Sequence, residues 1–387
     1  MKTKILIAAL LFAIAVNIGA TVAHADESEP NDLYGSVEEM LGELDLSEIE
    51  KYYEEIPKTF SGNVGFIDMI KGLMNGSSAD YSTLTSYVLD LLSSGIKSKI
   101  PVFSSLFALM ILCGIVGATK AERLGREVAE ITHFAIYATI VCIITSMCFS
   151  VMEEAKSSLD KIASGVQAVF PVMLALVSVT GGATAAVYGP SAAFVSDFII
   201  IVVEKLIFPL IICMLVLNVV SNVSKTVKLK GMTDFCGGAL KWTIGLMTTV
   251  FSVFMTVKGI SAGMYDGISY KAVKYTVNSS VPIVGGLVGN GFDMIIASAS
   301  LIKNGLGAFA AVTVFFIALE PILEIAAFSL ALKLVNAVTE PIGDGRVGEF
   351  VRSVSSVLNY VAASLIMVAL VYLITVIGFL LSSQTLL

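Results

Sequence analysis

Of the 387 residues, 56% are hydrophobic and 14% charged, with a mean hydropathy of +0.88, whereas an average soluble domain carries roughly 25% charged residues. Lipid is therefore the expected main solvent, and a soluble enzyme is excluded. The net charge of −7 is local, because 12 of the 31 acidic residues lie between Asp26 and Glu55; without a basic stripe, nucleic-acid binding is excluded as well.

The chain opens as a signal peptide. Lys2 and Lys4 precede an apolar stretch from Ile5 to Ile18, and Ala23-His24-Ala25 offers a small-x-small cleavage site before Asp26. The alternative is an uncleaved first anchor, which leaves the downstream topology unchanged. Residues 26–99 form an acidic, extracytoplasmic segment. Val37, Met40, Leu41 and Leu44 recur at helical spacing, as do Leu84, Val88, Leu91 and Ile96 ahead of Lys97 and Lys99, which predicts two amphipathic helices. The second either lies on the membrane surface or belongs to a small helical cap.

Residues 100–387 form the transmembrane domain, an all-α bundle. About 20 helical residues cross the ~30 Å hydrocarbon core, and Ile100–Ala118, Ile131–Val151, Trp242–Ala262 and Val357–Leu381 meet that length. Ala192–Val223 and Gly305–Val338 exceed one straight span, and Pro209 and Pro321 interrupt them, so each is either one long kinked helix or two pieces. Val166–Val187 and Val281–Ile302 are weaker, Gly- and Ser-rich segments carrying Pro171 and Pro282 near their starts, and they read as short re-entrant helices. Six to eight spans result. Arg123, Arg126, Arg346 and Arg352 fall in two loops, and Lys225, Lys228, Lys230 and Lys241 cluster in a third. Placing these loops in the cytoplasm satisfies the positive-inside tendency.

An internal repeat is expected from the spacing. Pro171 and Pro282 are 111 residues apart, Pro209 and Pro321 are 112 apart, and spans starting near Ile131 and Leu240 are offset by 109. Units of roughly 119–225 and 231–340, with a partial third at 345–382, follow. Repeats with Gly- and Pro-interrupted helices are a transporter build. Unpaired peptide groups are costly in hydrocarbon, so Pro171 and the Val281-Pro282-Ile283-Val284-Gly285-Gly286 run, with Gly285 and Gly286 permitting close helix contact, are expected at the bundle centre. The alternative is a tight packing knot with no substrate.

Charges within apolar stretches must face a cavity, pair, or snorkel. Glu320 and Glu324 share a helix face around Pro321, and Glu204 and Lys205 precede Pro209 by about a turn, which suggests a polar pathway beside both breaks. Lys258, Lys303 and Lys333 are expected to snorkel, and Asp293 joins the same apolar-zone set. Five cysteines without CxxC spacing, odd in number, read as buried inert thiols. Two histidines, His24 and His133, leave no basis for a zinc site or a Ser-His triad. Asp266 and Asp293 evoke the aspartate pair of intramembrane proteases. The fit is poor, because Phe292 separates Asp293 from Gly291. Catalytic, metal and cofactor residues are expected to be none.

The signal peptide, the acidic outer segment, the Val281–Gly286 run and Leu301-Ile302-Lys303-Asn304-Gly305 together resemble the stage III sporulation protein AE family of endospore-forming bacteria. The resemblance covers essentially the whole chain. It implies a non-enzymatic component of the mother-cell membrane apparatus around the forespore, sustaining late forespore gene expression. It also implies partners: the other membrane proteins of the same operon and a forespore-side partner, in a channel or secretion-like complex. Three readings follow: a channel or permease-like subunit, possible as a homo-oligomer, then a membrane scaffold, then an intramembrane protease. Residues 26–55 either dock an extracytoplasmic partner or form a solvated tail.

Overall fold

The computed structural model describes residues 30–61, 64–75, 81–118, 126–179, 183–223, 229–280, 285–339 and 345–381. Among them the chain is helical, with no strand. Four short helices open it: α1 (Pro30–Glu43), α2 (Ser47–Glu50), which runs into a 3-10 turn at Lys51–Glu55, α3 (Lys58–Ser61) and α4 (Phe66–Met74). Seven longer ones follow: α5 (Tyr81–Ala118), α6 (Arg126–Val179), α7 (Ala183–Val202), which passes through a π-turn at Val203–Ile207 into α8 (Phe208–Val223), α9 (Lys230–Ser280), α10 (Gly285–Thr339) and α11 (Gly345–Leu381). Counting α7 and α8 together, six helices are long and apolar enough to cross a membrane. The chain is a polytopic membrane helical bundle.

The long helices alternate in direction. The end of α8 lies beside the start of α9, where the Leu229 N–H donates to Ser221 Oγ at 3.3 Å, and the end of α10 lies beside the start of α11, where Gly348 faces Asn336. Lys230, Arg346 and Arg352 mark this end, and the N-terminal helices pack on α10 between Ser298 and Phe316, toward its other end. Burial separates centre from rim: 72% of the apolar stretch of α10 and 67% of that of α11 are buried, against 17% for α9. The pair α10 and α11 is thus the spine. The other long helices present apolar side chains outward, including Ile131, Phe134, Ile212, Val216, Phe235, Trp242 and Val253. On the exposed part of α9, the hydroxyls of Thr248, Thr249, Ser252 and Thr256 donate to carbonyls four residues back at 2.8 Å. That bonding satisfies them without a partner helix and makes the face compatible with lipid.

At 54 and 55 residues, α6 and α10 are each about 80 Å long at 1.5 Å per residue. The hydrocarbon core spans only ~30 Å. Much of each helix therefore extends beyond it, toward the capped end. Here the amphipathic pattern of residues 37–44 makes a docked cap. Val37, Leu41, Ile49, Ile56, Phe66, Ile70 and Met74 are buried. Phe66 meets Phe309 edge-on at 5.3 Å and Phe60 meets Phe316 at 5.1 Å. Ser298 Oγ donates to Ser36 Oγ at 3.1 Å, and Lys161 pairs with Glu55 at 2.7 Å.

The structure revises the segmentation around the prolines. The stretch expected as a short helix near Pro171 is the continuation of α6, which runs through that proline to Val179. Likewise α10 runs through Pro321 without a break. Proline removes one hydrogen bond and crowds the carbonyl four residues back, a local loss that packing on both flanks tolerates. Only Pro209 coincides with altered helix geometry. The turn before it widens to a π-turn at Val203–Ile207, one of the recognised responses to the crowding a proline ring imposes on the carbonyl four residues back. Pro282 lies outside the described residues, and Gly285 and Gly286 are the first two residues of α10.

Candidate interhelical polar layer

Polar groups interrupt the apolar bundle along α6, where Glu153, Glu154, Lys156, Asp160 and Lys161 follow an apolar run. From this stretch α6 reaches two groups of charges. In the first, on the side of α5 and α10, Lys99 forms an ion pair with Glu324, both side chains mostly buried. Glu154 lies within electrostatic reach of Lys99 and of Glu320. Tyr87 closes the group: burial first, and the nearby Glu320 charge second, hold its phenol above the usual tyrosine range, and its ring packs on Phe316 at 5.6 Å. Charges in an apolar bundle demand such partners.

The second group sits at the π-turn. Glu204 lies against Asp160, with Lys156 and Lys205 near enough to act on its charge. Glu204 also reaches Tyr372 of α11 electrostatically, and Tyr372 Oη donates to Asp197 at 3.2 Å. Gln167 Nε2 donates to the same Asp197 oxygen at 3.1 Å, and Ser196 and Thr375 share a buried hydrogen bond of 2.9 Å. These contacts tie α6, α7 and α11 together at a level where apolar packing alone would leave helix register unspecified.

The residues singled out by sequence separate into three sets. Glu320 and Glu324 meet Lys99 and Glu154; Glu204 meets Asp160, with Lys156 and Lys205 near it; Pro171 joins neither. Around Pro171 the described neighbours are apolar, with Val169 and Met173 buried and Phe170 edge-on to Phe379 at 5.1 Å. Ala23, Ala25 and Pro282 lie outside the described residues, as do the side chains of Asp266 and Asp293. Sequence reasoning missed Lys99, Glu154, Asp160, Asp197 and Tyr372. The charged interruption at 153–161 inside an apolar stretch was the signal for two of them. Lys303, expected to snorkel, is instead buried and donates to the Leu380 carbonyl at 3.1 Å. It anchors the free carbonyls at the end of α11.

A polytopic helical membrane protein with charges paired between its helices is the class that this architecture defines. The family profile described as stage III sporulation protein AE matches residues 64–383, and the chain belongs to that family. It is similar to the stage III sporulation protein AE of Bacillus subtilis (strain 168), at 22% identity over 385 residues, covering 96% of this chain and 94% of that one. No solved structure matches. The chain is thus a sporulation protein with membrane-spanning helices.

Proposed function

We propose that this chain is a non-enzymatic, permease-like or channel-forming subunit of a complex linking mother cell and forespore. In this reading it sits in the mother-cell membrane and supports late forespore development. Residues from Asp26 face the intermembrane space, and the basic end faces the cytoplasm. Its partners are other membrane proteins of the same operon and a forespore-side protein, which the acidic N-terminal helices meet. Family membership supports the setting. The observation that carries the transport role is the layer of paired charges, Lys99 with Glu324, Glu154 and Glu320, between helices that otherwise bury apolar side chains. Charged groups within membrane helices are costly, and they commonly mark polar pathways.

A scaffold reading has its own support in the closely packed spine, where α10 and α11 bury most of their surface. The two readings differ in what water reaches. Single cysteines placed beside Glu320, Glu324 and Pro171 in a cysteine-free background, in sporulating cells, should react with a water-soluble maleimide if the layer lines a pathway. Protection at all of them favours the scaffold. A strain carrying Glu320→Gln and Glu324→Gln should lose late forespore gene expression; full activity with the protein at normal level removes the pathway reading.

A further inference from the structure

Two thiols outside the polar layer meet at the seam between α8 and α9. Cys213 and Cys236 lie near enough for the Cys213 thiol to act on that of Cys236; both are free, Cys213 exposed and Cys236 buried. Neighbouring residues set the close approach independently. A Cβ on Gly237 would lie 3.8 Å from Met214 Cε and 3.1 Å from Tyr360 Oη, and that Oη donates to the Gly237 carbonyl at 3.2 Å. The bare glycine lets α8, α9 and α11 converge beside the two sulfurs. A disulfide needs Cα atoms roughly 4.4–6.8 Å apart, and two helices held this close beside a bare glycine bring their neighbouring thiols toward that range. The remaining cysteines lie elsewhere, Cys113 on α5 and Cys142 and Cys148 on α6.

The pair also has a defined depth. Cys213 is ten residues before the end of α8 at Val223 and Cys236 six residues after the start of α9 at Lys230. At 1.5 Å per residue this places them about 9–15 Å inside the basic end. Ile212 and Val216 flank Cys213 on the outward apolar surface, so reagents dissolved in the bilayer meet its sulfur first.

We propose that Cys213 and Cys236 form a reversible dithiol–disulfide site whose oxidant is a lipid-soluble quinone. In the oxidation both S–H bonds break and one S–S bond forms, while two electrons and two protons pass to the quinone and yield the hydroquinone. A dithiol reductant reverses the step by thiol–disulfide exchange and becomes a disulfide itself. The bond clamps α8 to α9 beside the Tyr360 contact with α11. The inference stands apart from the transport reading and survives its failure.

The test uses the full chain in liposomes with or without decylubiquinone, whose fully substituted ring accepts electrons but does not add to thiols. After denaturation, N-ethylmaleimide labels the free thiols, and trypsin cuts between the two cysteines at Lys225, Lys228 and Lys230. With quinone, two of the five thiols should become unavailable, the peptides carrying Cys213 and Cys236 should be linked, and dithiothreitol should release them. Cys213→Ser and Cys236→Ser should each keep their four remaining thiols. Copper phenanthroline, an oxidant that needs no special access, checks the contact itself. Failure of that reagent to link the pair overturns the geometry. Linkage by copper with all five thiols free under quinone overturns the redox assignment, as does linkage of any other pair.

Discussion

Replacing Gly305 by alanine should loosen the N-terminal helices from α10. A Cβ at this position would meet Met74 Cγ, and it would lie 3.1 Å from both Ile70 Cγ2 and the Ile70 carbonyl oxygen. Met74 is flexible and can swing aside. The Ile70 carbonyl is part of α4 and can give way only if the helix shifts. Forcing a methyl into such a packed contact costs about 1–3 kcal/mol, and even the first 1–2 kcal/mol raises the undocked fraction roughly 5- to 30-fold. Limited trypsin digestion of the detergent-solubilised chain reads this directly, since Lys51, Lys58 and Lys71 all lie in the cap. Gly305→Ala should speed cleavage there by about that factor, with little change at Lys225–Lys230. Gly238 supplies the opposite sign. Nothing lies within 4 Å of its would-be Cβ, so Gly238→Ala should be neutral or stabilise α9 by up to roughly 1 kcal/mol. If both variants digest alike, the cap is not seated on Gly305 and the packing argument fails.

Other outcomes follow from the same contacts. Lys99→Met should destabilise the bundle by leaving Glu324 without its ion-pair partner, and Lys99→Met with Glu324→Gln should recover part of the loss. A thermal-unfolding double-mutant cycle in detergent with no coupling between the two sites would discount the ion pair. Lys303→Met should cost about 1–3 kcal/mol by orphaning the buried Leu380 carbonyl, seen as a lowered melting temperature; an unchanged value refutes the anchor. The chain has one tryptophan, Trp242, exposed at 69%. Its emission in liposomes should be blue-shifted and quenched by brominated acyl chains, whereas emission insensitive to brominated lipid would take that face of α9 out of the bilayer.

A pH effect is expected in the cap. The hydrogen bond from Lys71, and then its charge, hold the Glu38 carboxyl below the ordinary glutamate value of 4.5. A depressed carboxylate contributes stability above its unfolded pKa and loses it as pH falls through the folded one. The tie between α1 and α4 should therefore weaken below pH 4.5. Hydrogen exchange of α1 amides, corrected for intrinsic rates, should show that acid loosening in the native chain and less of it in Glu38→Gln. Equal acid responses would remove Glu38 from the account. Glu38 is exposed and Lys71 only half-buried, so the effect is small and salt-sensitive.

Hydropathy and helical periodicity were enough to locate the apolar spans, because a bilayer demands long apolar runs whatever packs beside them. The amphipathic runs at 37–44 and 84–96 were legible for the same reason, although periodicity alone left open whether they lie on lipid or on protein. Proline was over-read at Pro171, whereas at Pro321 the single-helix alternative held. Its local cost is fixed by covalent geometry, but neighbouring helices decide whether a helix breaks, and only Pro209 altered its turn. Likewise Glu204, Glu320 and Glu324 stood out as misplaced charges, while their partners Asp160, Glu154 and Lys99 lie tens to hundreds of residues away along the chain. The amino-acid sequence by itself determined solvent, helix content and which groups needed partners, since these follow from transfer free energies summed locally. Which partners they found, that Gly305 seats the cap, and that Lys303 is buried against the end of α11 were decided only by the tertiary structure. Such contacts depend on interhelix distances that no local pattern encodes.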